Sequence, residues 1–588
     1  MQNLSQILQA AYHETPDLPI LRLLHSGQPD RTVTYRELLH HAGGYARLLH
    51  AAGVQPNQVV ILIQEHGLDL ISSFLGAVLY GAVPAIMPFL TEKLAPEAYR
   101  QSLRALFEIT QPGAVLAAPE FSAEVIPAVQ QAGLEAGRQA VLLQPTQANP
   151  VSSLDFSTDG FLTGLSAGPQ DLVLLQHSSG TTGLQKGVAL SHQAVIHQLE
   201  HYTAALQLNA RDVIVSWLPL YHDMGLIAGF LLPVLTRTPL VLMSPFDWVR
   251  APYRLFQAIS EYRGTLVWLP NFAYNFCAQK IRSRDLENVD LTSWRAVINC
   301  SEPIYWNSHQ MFLERFEPYG LQPAALAVCY AMAENVFAVT QGGIDAPVVV
   351  DWIDRQIFLT AQRAVPAPAA DDDHATLDGH AMPGGHAMPG GHAMPVVSSG
   401  KPLSNCQVKI VDPAGAELPD RQVGEIALRS NCLLEAYYHR PDSTKQAIKA
   451  GWYLTGDLGY LVAGELFVVG RKKDLIIVGG KNVYPQDIER LVNETPGVYP
   501  GRVVAFGVAN PRSGTEDVVV IAETETAGTE ARAQIAAEIR RRVTRGSDVA
   551  LRFVQVVDRN WLLKTSSGKI ARGANRERYL AEFGAAHT

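Results

Sequence analysis

Short apolar runs alternate with longer amphipathic stretches through the first part of the chain. Val59–Ile63 and Val83–Met87 are apolar runs of strand length, and the stretch Leu68–Tyr80 between them has helical spacing. Thr34, followed three residues later by Glu37, is a typical helix start. The order of strand, helix and strand recurs to about residue 340 and predicts a parallel sheet covered by helices.

The alternation of predicted strands and helices stops at residue 341. Residues 364–395 are rich in Ala, Pro, Gly and Asp and contain the repeat Gly-His-Ala-Met-Pro-Gly, which begins at Gly379, at Gly385 and, incompletely, at Gly391. Such a composition cannot bury a core, so we expect a disordered surface loop. Its histidines could hold a metal weakly, although expansion of a neutral repeat explains them more simply.

The chain divides most simply into three parts. Residues 1–470 predict a large α/β domain of parallel or mixed sheets flanked by helices, with an insertion at 341–398. After Gly400 we expect strands of a β-barrel-like subdomain, with a hairpin around Gly464 and Glu465. The charged segment 471–474 lies between two β-rich runs and is typical of a hinge. Residues 475–588 show an α+β pattern of small-domain size, which we expect to be a mobile lid.

Composition limits the classes of function. The chain has 588 residues, 47% of them apolar and 18% charged, and a net charge of −9, as in an ordinary globular protein. No basic run suggests a nucleic-acid partner, and five dispersed cysteines argue against a disulfide framework or a zinc site. Because the start of the chain does not resemble a signal peptide and the apolar region Leu226–Leu242 is interrupted, we expect a cytoplasmic protein without a membrane span.

A loop of small polar residues follows the apolar run Leu172–Leu175, with Lys186 shortly behind it. Backbone N–H groups and hydroxyls in such a loop can converge on an anion, although a plain surface turn is the alternative. The loop departs from the common P-loop pattern, because Gln185 stands where the second glycine would fall. The loop residues are Ser178, Ser179, Gly180, Thr181, Thr182 and Gly183.

Further polar motifs follow at Tyr330–Glu334, Tyr453–Asp457, Arg471–Asp474 and Thr565–Lys569. The loop at 178–183 and these four motifs make five motifs in order along the chain. With them, nearly the whole chain resembles the adenylate-forming superfamily of acyl-CoA synthetases, peptide-synthetase adenylation domains and luciferases. It is most similar to the fatty acyl-AMP ligases, whose sequence motif it shares in the segment Trp217–Leu226.

The resemblance implies that a fatty or related carboxylic acid attacks the α-phosphate of ATP, giving acyl-AMP and pyrophosphate. The phosphopantetheine thiol of an acyl carrier protein would then take the acyl group. An insertion after Glu334 is thought to oppose the use of CoA in fatty acyl-AMP ligases, so it favours the carrier protein over the alternative, an acyl-CoA ligase. An inactive nucleotide-binding scaffold and a luciferase-like oxygenase are the less favoured interpretations, since the polar motif residues are intact and nothing selects for oxygenation.

The resemblance also implies which residues hold the nucleotide. The loop 178–183 and Lys186 would contact the β- and γ-phosphates, and Tyr330 would stack on adenine. Asp457 would accept both ribose hydroxyls, with Arg471 beside it. Without the motifs, these charged side chains would be interpreted as solvated surface groups. Ser301, Glu302, Pro303, Ala331 and Met332 are further implied nucleotide-binding residues, with Ala331 at a usual glycine position.

The implied catalytic residues are Lys569, Glu334 and His222. The ammonium of Lys569 can bridge the carboxylate and the α-phosphate as charge develops, and we expect this side chain to be exposed. Glu334 and Thr182 are the implied ligands of Mg²⁺, which prefers oxygen. His222 is expected to shape or gate the acyl pocket and not to transfer protons.

The acyl tunnel is expected near Trp217–Phe230 and Trp268–Phe276. Both segments could equally be ordinary core.

Overall fold

A computed structural model describes residues 2–27, 29–90, 96–136, 140–177, 186–344, 346–368, 393–478, 481–510, 515–547, 549–565 and 569–583. The predicted phosphate loop 178–183 and the repeat as far as residue 392 lie outside the described residues. Within the described ranges, no helix is both long and apolar enough to cross a membrane.

The strands, in chain order, are β1 Pro19–Leu24, β2 Arg31–Thr34, β3 Val59–Ile63, β4 Val83–Ile86, β5 Ala114–Ala117, β6 Val141–Leu143, β7 Leu172–His177, β8 Gly187–Ser191, β9 Ile214–Ser216, β10 Leu240–Met243, β11 Leu266–Leu269, β12 Ala296–Asn299, β13 Leu326–Ala331, β14 Ala338–Gly342, β15 Val350–Asp354, β16 Ala393–Val397, β17 Lys401–Pro402, β18 Cys406–Val411, β19 Gly424–Ser430, β20 Ala436–Tyr437, β21 Ile448–Lys449, β22 Trp452–Val462, β23 Glu465–Arg471, β24 Ile476–Val478, β25 Lys481–Val483, β26 Val503–Asn510, β27 Thr515–Thr524 and β28 Phe553–Asp558.

The α-helices are α1 Leu4–Glu14, α2 Tyr35–Ala51, α3 Leu68–Tyr80, α4 Pro96–Thr110, α5 Ser122–Ala136, α6 His192–Ala205, α7 Leu232–Thr236, α8 Pro245–Arg250, α9 Tyr253–Tyr262, α10 Asn271–Lys280, α11 Trp306–Phe316, α12 Arg355–Ala361, α13 Pro441–Ala447, α14 Pro485–Asn493, α15 Thr529–Gly546 and α16 Arg572–Phe583. A π-helix, Met224–Leu231, runs directly into α7.

A nine-stranded mixed sheet is the largest in the structure, with the order β17-β14-β13-β12-β11-β9-β10-β1-β2. The neighbours from β13 through β1 pair in parallel, and the pairings at both edges are antiparallel. A second sheet, β4-β3-β5-β6, is parallel throughout. Connecting helices such as α3 join these strands, so the predicted α/β architecture is confirmed.

The local predictions near the start of the chain agree closely with the structure. The predicted strand and helix coincide with β3 and α3, and Thr34 caps α2 by accepting a hydrogen bond from the N–H of Glu37 (3.3 Å). The Glu37 carboxylate forms an ion pair with Arg31. The side chain of Glu37, in the first turn of α2, is therefore paired with a residue of the preceding strand β2.

The strands after Gly400 form an antiparallel sheet in the order β18-β19-β22-β21, with β23 paired to β22. The predicted hairpin is present, because Val462 pairs with Glu465 across the turn. The last part of the chain has its own three-stranded sheet, β26-β27-β28, whose buried apolar residues pack with α14 and α15.

The described parts of the insertion correct one expectation. The composition of residues 364–395 predicts that they bury nothing, yet Ala364 is fully buried and Ala393–Pro395 belong to β16, which pairs antiparallel with β15. Apolar residues outside the repeat supply the core here, including Phe358, Tyr460 and Tyr484. The ends of the insertion are thus part of the folded structure.

All five cysteines are buried and free. The apolar region Leu226–Leu242 is also buried, as the end of the π-helix, α7 and β10. A buried position explains its hydrophobicity.

A buried carboxylate precedes β9. The Asp212 side chain is 1% exposed and accepts two hydrogen bonds from the Arg295 guanidinium, both at 2.8 Å. Thr265 donates a further hydrogen bond at 2.7 Å. Because these residues precede β9, β11 and β12, the cluster ties together the beginnings of three neighbouring strands.

We predict that Asp212→Asn lowers the free energy of unfolding by about 3 kcal/mol, because it leaves the Arg295 guanidinium without its charged partner. The shift of the urea midpoint measures this effect. Asp17→Asn removes the exposed ion pair with Arg36 and serves as the control, with little or no shift expected. Equal shifts in the two variants would contradict the importance assigned to the buried cluster.

Candidate active site

Several predicted residues follow strands whose carboxyl ends share one edge of the large sheet. Ser301 lies two residues beyond β12, and Glu334 lies three residues beyond β13. The segment from Trp217 to His222 follows β9. Because these strands are parallel, their following residues converge on a common crevice, the usual position of ligand sites in open α/β sheets.

Lys569 reaches this edge from the far end of the sequence. Its ammonium donates a hydrogen bond to the Ser301 carbonyl at 2.6 Å. Lys569 lies in a tight turn, in which its own carbonyl accepts a hydrogen bond from the N–H of Thr565 (2.8 Å). The side chain is half-buried, which corrects the expectation that it is exposed.

Two titratable groups beside Lys569 are shielded from water. Burial and the charge of Lys569 lower the pKa of His222 to about 3, so its imidazole is neutral at ordinary pH. Burial raises the pKa of Asp223, against the opposing effects of the Met224 N–H and the Lys569 charge. The Met224 N–H hydrogen bond, at 2.9 Å, places Asp223 at the start of the π-helix.

Asp457 and Arg471 face each other across the hairpin of β22 and β23. They are paired in register, and the guanidinium Nε lies 3.4 Å from the carboxylate. The Tyr330 hydroxyl donates to the same carboxylate at 2.7 Å. Burial, and then the charge of Asp457, raise the pKa of Tyr330, so this phenol stays protonated and able to donate.

Glu334 is fixed by an aromatic pair. The Tyr437 hydroxyl donates to the Glu334 carboxylate at 2.8 Å and lies 2.9 Å from the hydroxyl of Tyr453. Burial and the charge of Glu334 raise the pKa of both phenols. The Lys186 ammonium lies 4.6 Å from the centre of the Tyr437 ring. The ring of Tyr437 therefore contacts a cation, while its hydroxyl contacts the Glu334 carboxylate.

A strained turn follows Glu334. Val336 has φ 62° and ψ −55°, and the N–H of Phe337 donates to the carbonyl of Asn335 at 2.6 Å, which closes a γ-turn of the rare type with positive φ. Such a backbone costs a β-branched residue on the order of 1–3 kcal/mol. The surroundings hold it in place, since Val336 is fully buried and the Asn335 amide donates to the Ala338 carbonyl at 2.8 Å.

The segments expected to line an acyl tunnel bring large aromatic rings to the same edge. Trp217 and Trp248 stack with 3.6 Å between ring centres, and Phe272 meets both rings edge-on. The backbone N–H of Phe272 donates to the Glu302 carboxylate at 2.9 Å. These aromatic rings therefore form an apolar surface next to the residues around Ser301. Binding of an acyl chain to this surface stays a prediction.

Some of the remaining predicted residues lie within the described residues and others lie outside them. Ala331 and Met332 are half-buried at the end of β13, next to Tyr330, whereas Pro303 is exposed. The loop residues Ser178–Gly183, including Thr182, lie outside the described residues, so their roles stay predictions.

Sequence reasoning missed Asp223, Tyr437 and Lys473. Asp223 stands beside His222 within a motif already noted, so it could have been found. Tyr437 lies 103 residues from Glu334 and has no local signal. Burial lowers the pKa of Lys473 and the charge of Arg471 lowers it further, against the opposing charges of Asp474 and Asp457, so Lys473 lies among charged groups of both signs.

The geometry agrees with comparisons to known proteins. A family model described as AMP-binding enzyme matches residues 8–438, so the chain belongs to the family of AMP-binding enzymes. The resemblance to the adenylate-forming superfamily drawn from the motifs is thereby confirmed.

Individual relatives match over nearly their whole lengths. A long-chain-fatty-acid–AMP ligase, FadD26, from Mycobacterium marinum is 31% identical over 578 residues, covering 94% of this chain and 92% of that protein. A medium-chain-fatty-acid–acyl-carrier-protein ligase, JamA, from Moorena producens is 28% identical over 595 residues, covering 98% and 95%. A solved structure from a study of fatty acyl-adenylate ligases of E. coli and L. pneumophila has a TM-score of 0.85 at 27% identity, covering 100% of this chain and 98% of that one.

The strained turn after Glu334 yields a stability prediction. Val336→Ala and Val336→Gly both remove buried apolar surface, at a cost of up to about 3 kcal/mol. We expect the glycine variant to be at least as stable as the alanine variant, because only glycine adopts positive φ without strain. Urea midpoints of the two variants measure the order, and an alanine variant clearly more stable than the glycine variant would contradict the γ-turn.

Proposed function

We propose that the protein activates a fatty or related carboxylic acid with ATP to form acyl-AMP and pyrophosphate, and then transfers the acyl group to the phosphopantetheine thiol of an acyl carrier protein. The contact between Lys569 and the Ser301 carbonyl carries this proposal. It brings a cation to the edge of the sheet where Glu334, Asp457 and Arg471 also lie. The relatives named for fatty acids and for a carrier protein support the same substrates.

The first step joins a carboxylate oxygen of the acid to the α-phosphorus of ATP, and the bond to the pyrophosphate oxygen breaks. Negative charge grows on the phosphate oxygens, so a fixed cation lowers the barrier. Lys569 would bridge the acid and the α-phosphate. Its surroundings favour this role, because a neutral His222 adds no competing charge beside the ammonium.

The nucleotide would be held by the groups around Asp457. Its carboxylate has four lone-pair positions, and the contacts with Tyr330 and Arg471 leave room for the ribose hydroxyls. Tyr330 would offer its ring to adenine. The loop 178–183 and Lys186 would hold the β- and γ-phosphates.

Mg²⁺ fits the chemistry of the site. Glu334 offers carboxylate oxygens of the hard type that this ion prefers, one of them already fixed by Tyr437, and Thr182 would add a hydroxyl. When bound, the ion would neutralise charge on the phosphate oxygens.

For the domains, we propose that residues 475–588 act as a lid that moves about 471–474 against residues 1–470. The insertion 341–398 would restrain this movement, because Phe358 of α12 in the insertion stacks on Tyr484 of the proposed lid, with 5.8 Å between ring centres. A contact between the insertion and a residue just beyond the hinge supports the carrier protein as acceptor. Acyl-CoA formation is the alternative.

Product analysis by mass spectrometry tests the proposal directly. The protein is incubated with ATP, Mg²⁺ and a series of medium- and long-chain fatty acids, alone, with CoA or with a holo acyl carrier protein. We expect acyl-AMP that persists with CoA and is consumed by the carrier protein. Efficient conversion to acyl-CoA would establish the alternative acceptor, and no adenylate from any acid would contradict the proposal.

Lys569→Ala is the matched variant for this assay. We expect acyl-AMP formation to fall about 10²–10³-fold, the usual effect of removing one group that stabilises developing charge. Melting temperature serves as the control for folding, since Lys569 is half-buried. Normal pyrophosphate release by this variant would remove Lys569 from its role.

His222 gives a prediction about pH. Because burial and Lys569 lower its pKa to about 3, the folded protein keeps this imidazole neutral and protonates it only as the pH falls toward 3. His222→Asn should therefore leave the shape of the rate profile unchanged between about pH 6 and pH 9. Lost contacts of about 1 kcal/mol should raise KM for the acid about fivefold. A basic or acidic limb that disappears in the variant would show that His222 transfers protons.

A further inference from the structure

We propose that Arg572 is a positioning residue that fixes Lys569 for acyl-AMP formation, by tying the turn that carries Lys569 to Asp474 in the linker segment. This inference rests on the proposed function and assigns part of its geometry to a side chain that does not touch the reactants.

The Arg572 guanidinium uses all three of its nitrogens. Nη1 donates to Asp474 at 2.7 Å, Nη2 donates to both oxygens of Glu489 at 2.8 and 3.0 Å, and Nε donates to the Ala505 carbonyl at 2.9 Å. The side chain is only 19% exposed. Two carboxylates and one carbonyl therefore hold this guanidinium in a single orientation.

Arg572 lies three positions after Lys569, as the first residue of α16. The chain between them has little freedom, because the N–H of Ala571 donates to the Leu563 carbonyl at 3.0 Å and the Asn575 side chain closes the same turn with hydrogen bonds to Leu563. A displacement of Arg572 would be passed on to Lys569 through this short connection.

The other end of the connection leads back to the nucleotide side of the site. Asp474 lies three positions after Arg471, which is paired with Asp457. Glu489 and Ala505 belong to α14 and β26, so the guanidinium joins the linker segment, one helix and one strand to the Lys569 turn. In this arrangement of the lid, Lys569 and Arg471 are thereby connected through the Arg572 guanidinium.

Only arginine satisfies this arrangement. A lysine at position 572 would keep the positive charge but would present a single ammonium, which cannot meet Asp474, both oxygens of Glu489 and the Ala505 carbonyl together. Arg572→Lys therefore keeps the positive charge at position 572 but removes the set of donors that the guanidinium presents to its partners.

The first test compares Arg572→Lys with Arg578→Lys for acyl-AMP formation. Arg578 is a matched control on the same helix, with a carboxylate partner in Glu582 at 2.8 Å and a carbonyl partner in Trp561 at 2.6 Å, away from the linker. We expect Arg572→Lys to lower kcat about 10- to 100-fold with KM for ATP nearly unchanged, as for a misplaced catalytic group. Arg578→Lys should leave kcat within about twofold of the original.

The second test separates positioning from general loosening of the fold. In the Lys569→Ala background, Arg572→Lys should cause no further loss of kcat, because a residue that acts through Lys569 has nothing left to position. A further loss of about tenfold or more in that background would overturn the inference, as would a normal kcat in the single variant. Absence of acyl-AMP from the unsubstituted protein would instead reject the proposed function.

Discussion

The placement of one ammonium in a poorly hydrated crevice is the constraint that orders the site. Lys569 donates to the Ser301 carbonyl across a separation of 268 residues, so the last part of the chain must fold against the edge of the large sheet. Burial keeps His222 neutral and works against ionisation of Asp223 beside it. In such surroundings a charge acts more strongly on its neighbours than it does in water, which suits a step in which negative charge develops.

The backbone that receives this ammonium is held by a buried polar network. Asn299, at the end of β12, donates to the Asn271 side chain at 3.0 Å and lies 3.0 Å from a ring nitrogen of His309. Burial lowers the pKa of His309 to about 4, so the network is neutral. Ser301, two residues on, has φ 71°, a conformation that a non-glycine residue keeps only with support from its surroundings.

Much of this arrangement was accessible from the sequence because it depends on local pattern. The hairpin predicted at Gly464 and Glu465 is what places Asp457 opposite Arg471. The contacts that escaped prediction join distant segments: Tyr437 to Glu334 across 103 residues, and Arg572 to Asp474 across 98. Such pairs are decided by how whole elements pack. No spacing rule brings them together, and the strain at Val336 likewise follows from its surroundings.

Charged groups of both signs lie together at the site, within a chain whose net charge is −9. Burial lowers the pKa of Lys473 and the charge of Arg471 lowers it further, whereas the nearby carboxylates of Asp474 and Asp457 oppose this shift. These cations are balanced by carboxylates, since Arg471 is paired with Asp457 and Asp474 is paired with Arg572. A basic surface as a whole is not needed for anion binding, because folding brings single cations from distant segments, Lys186, Arg471 and Lys569, to the predicted site residues.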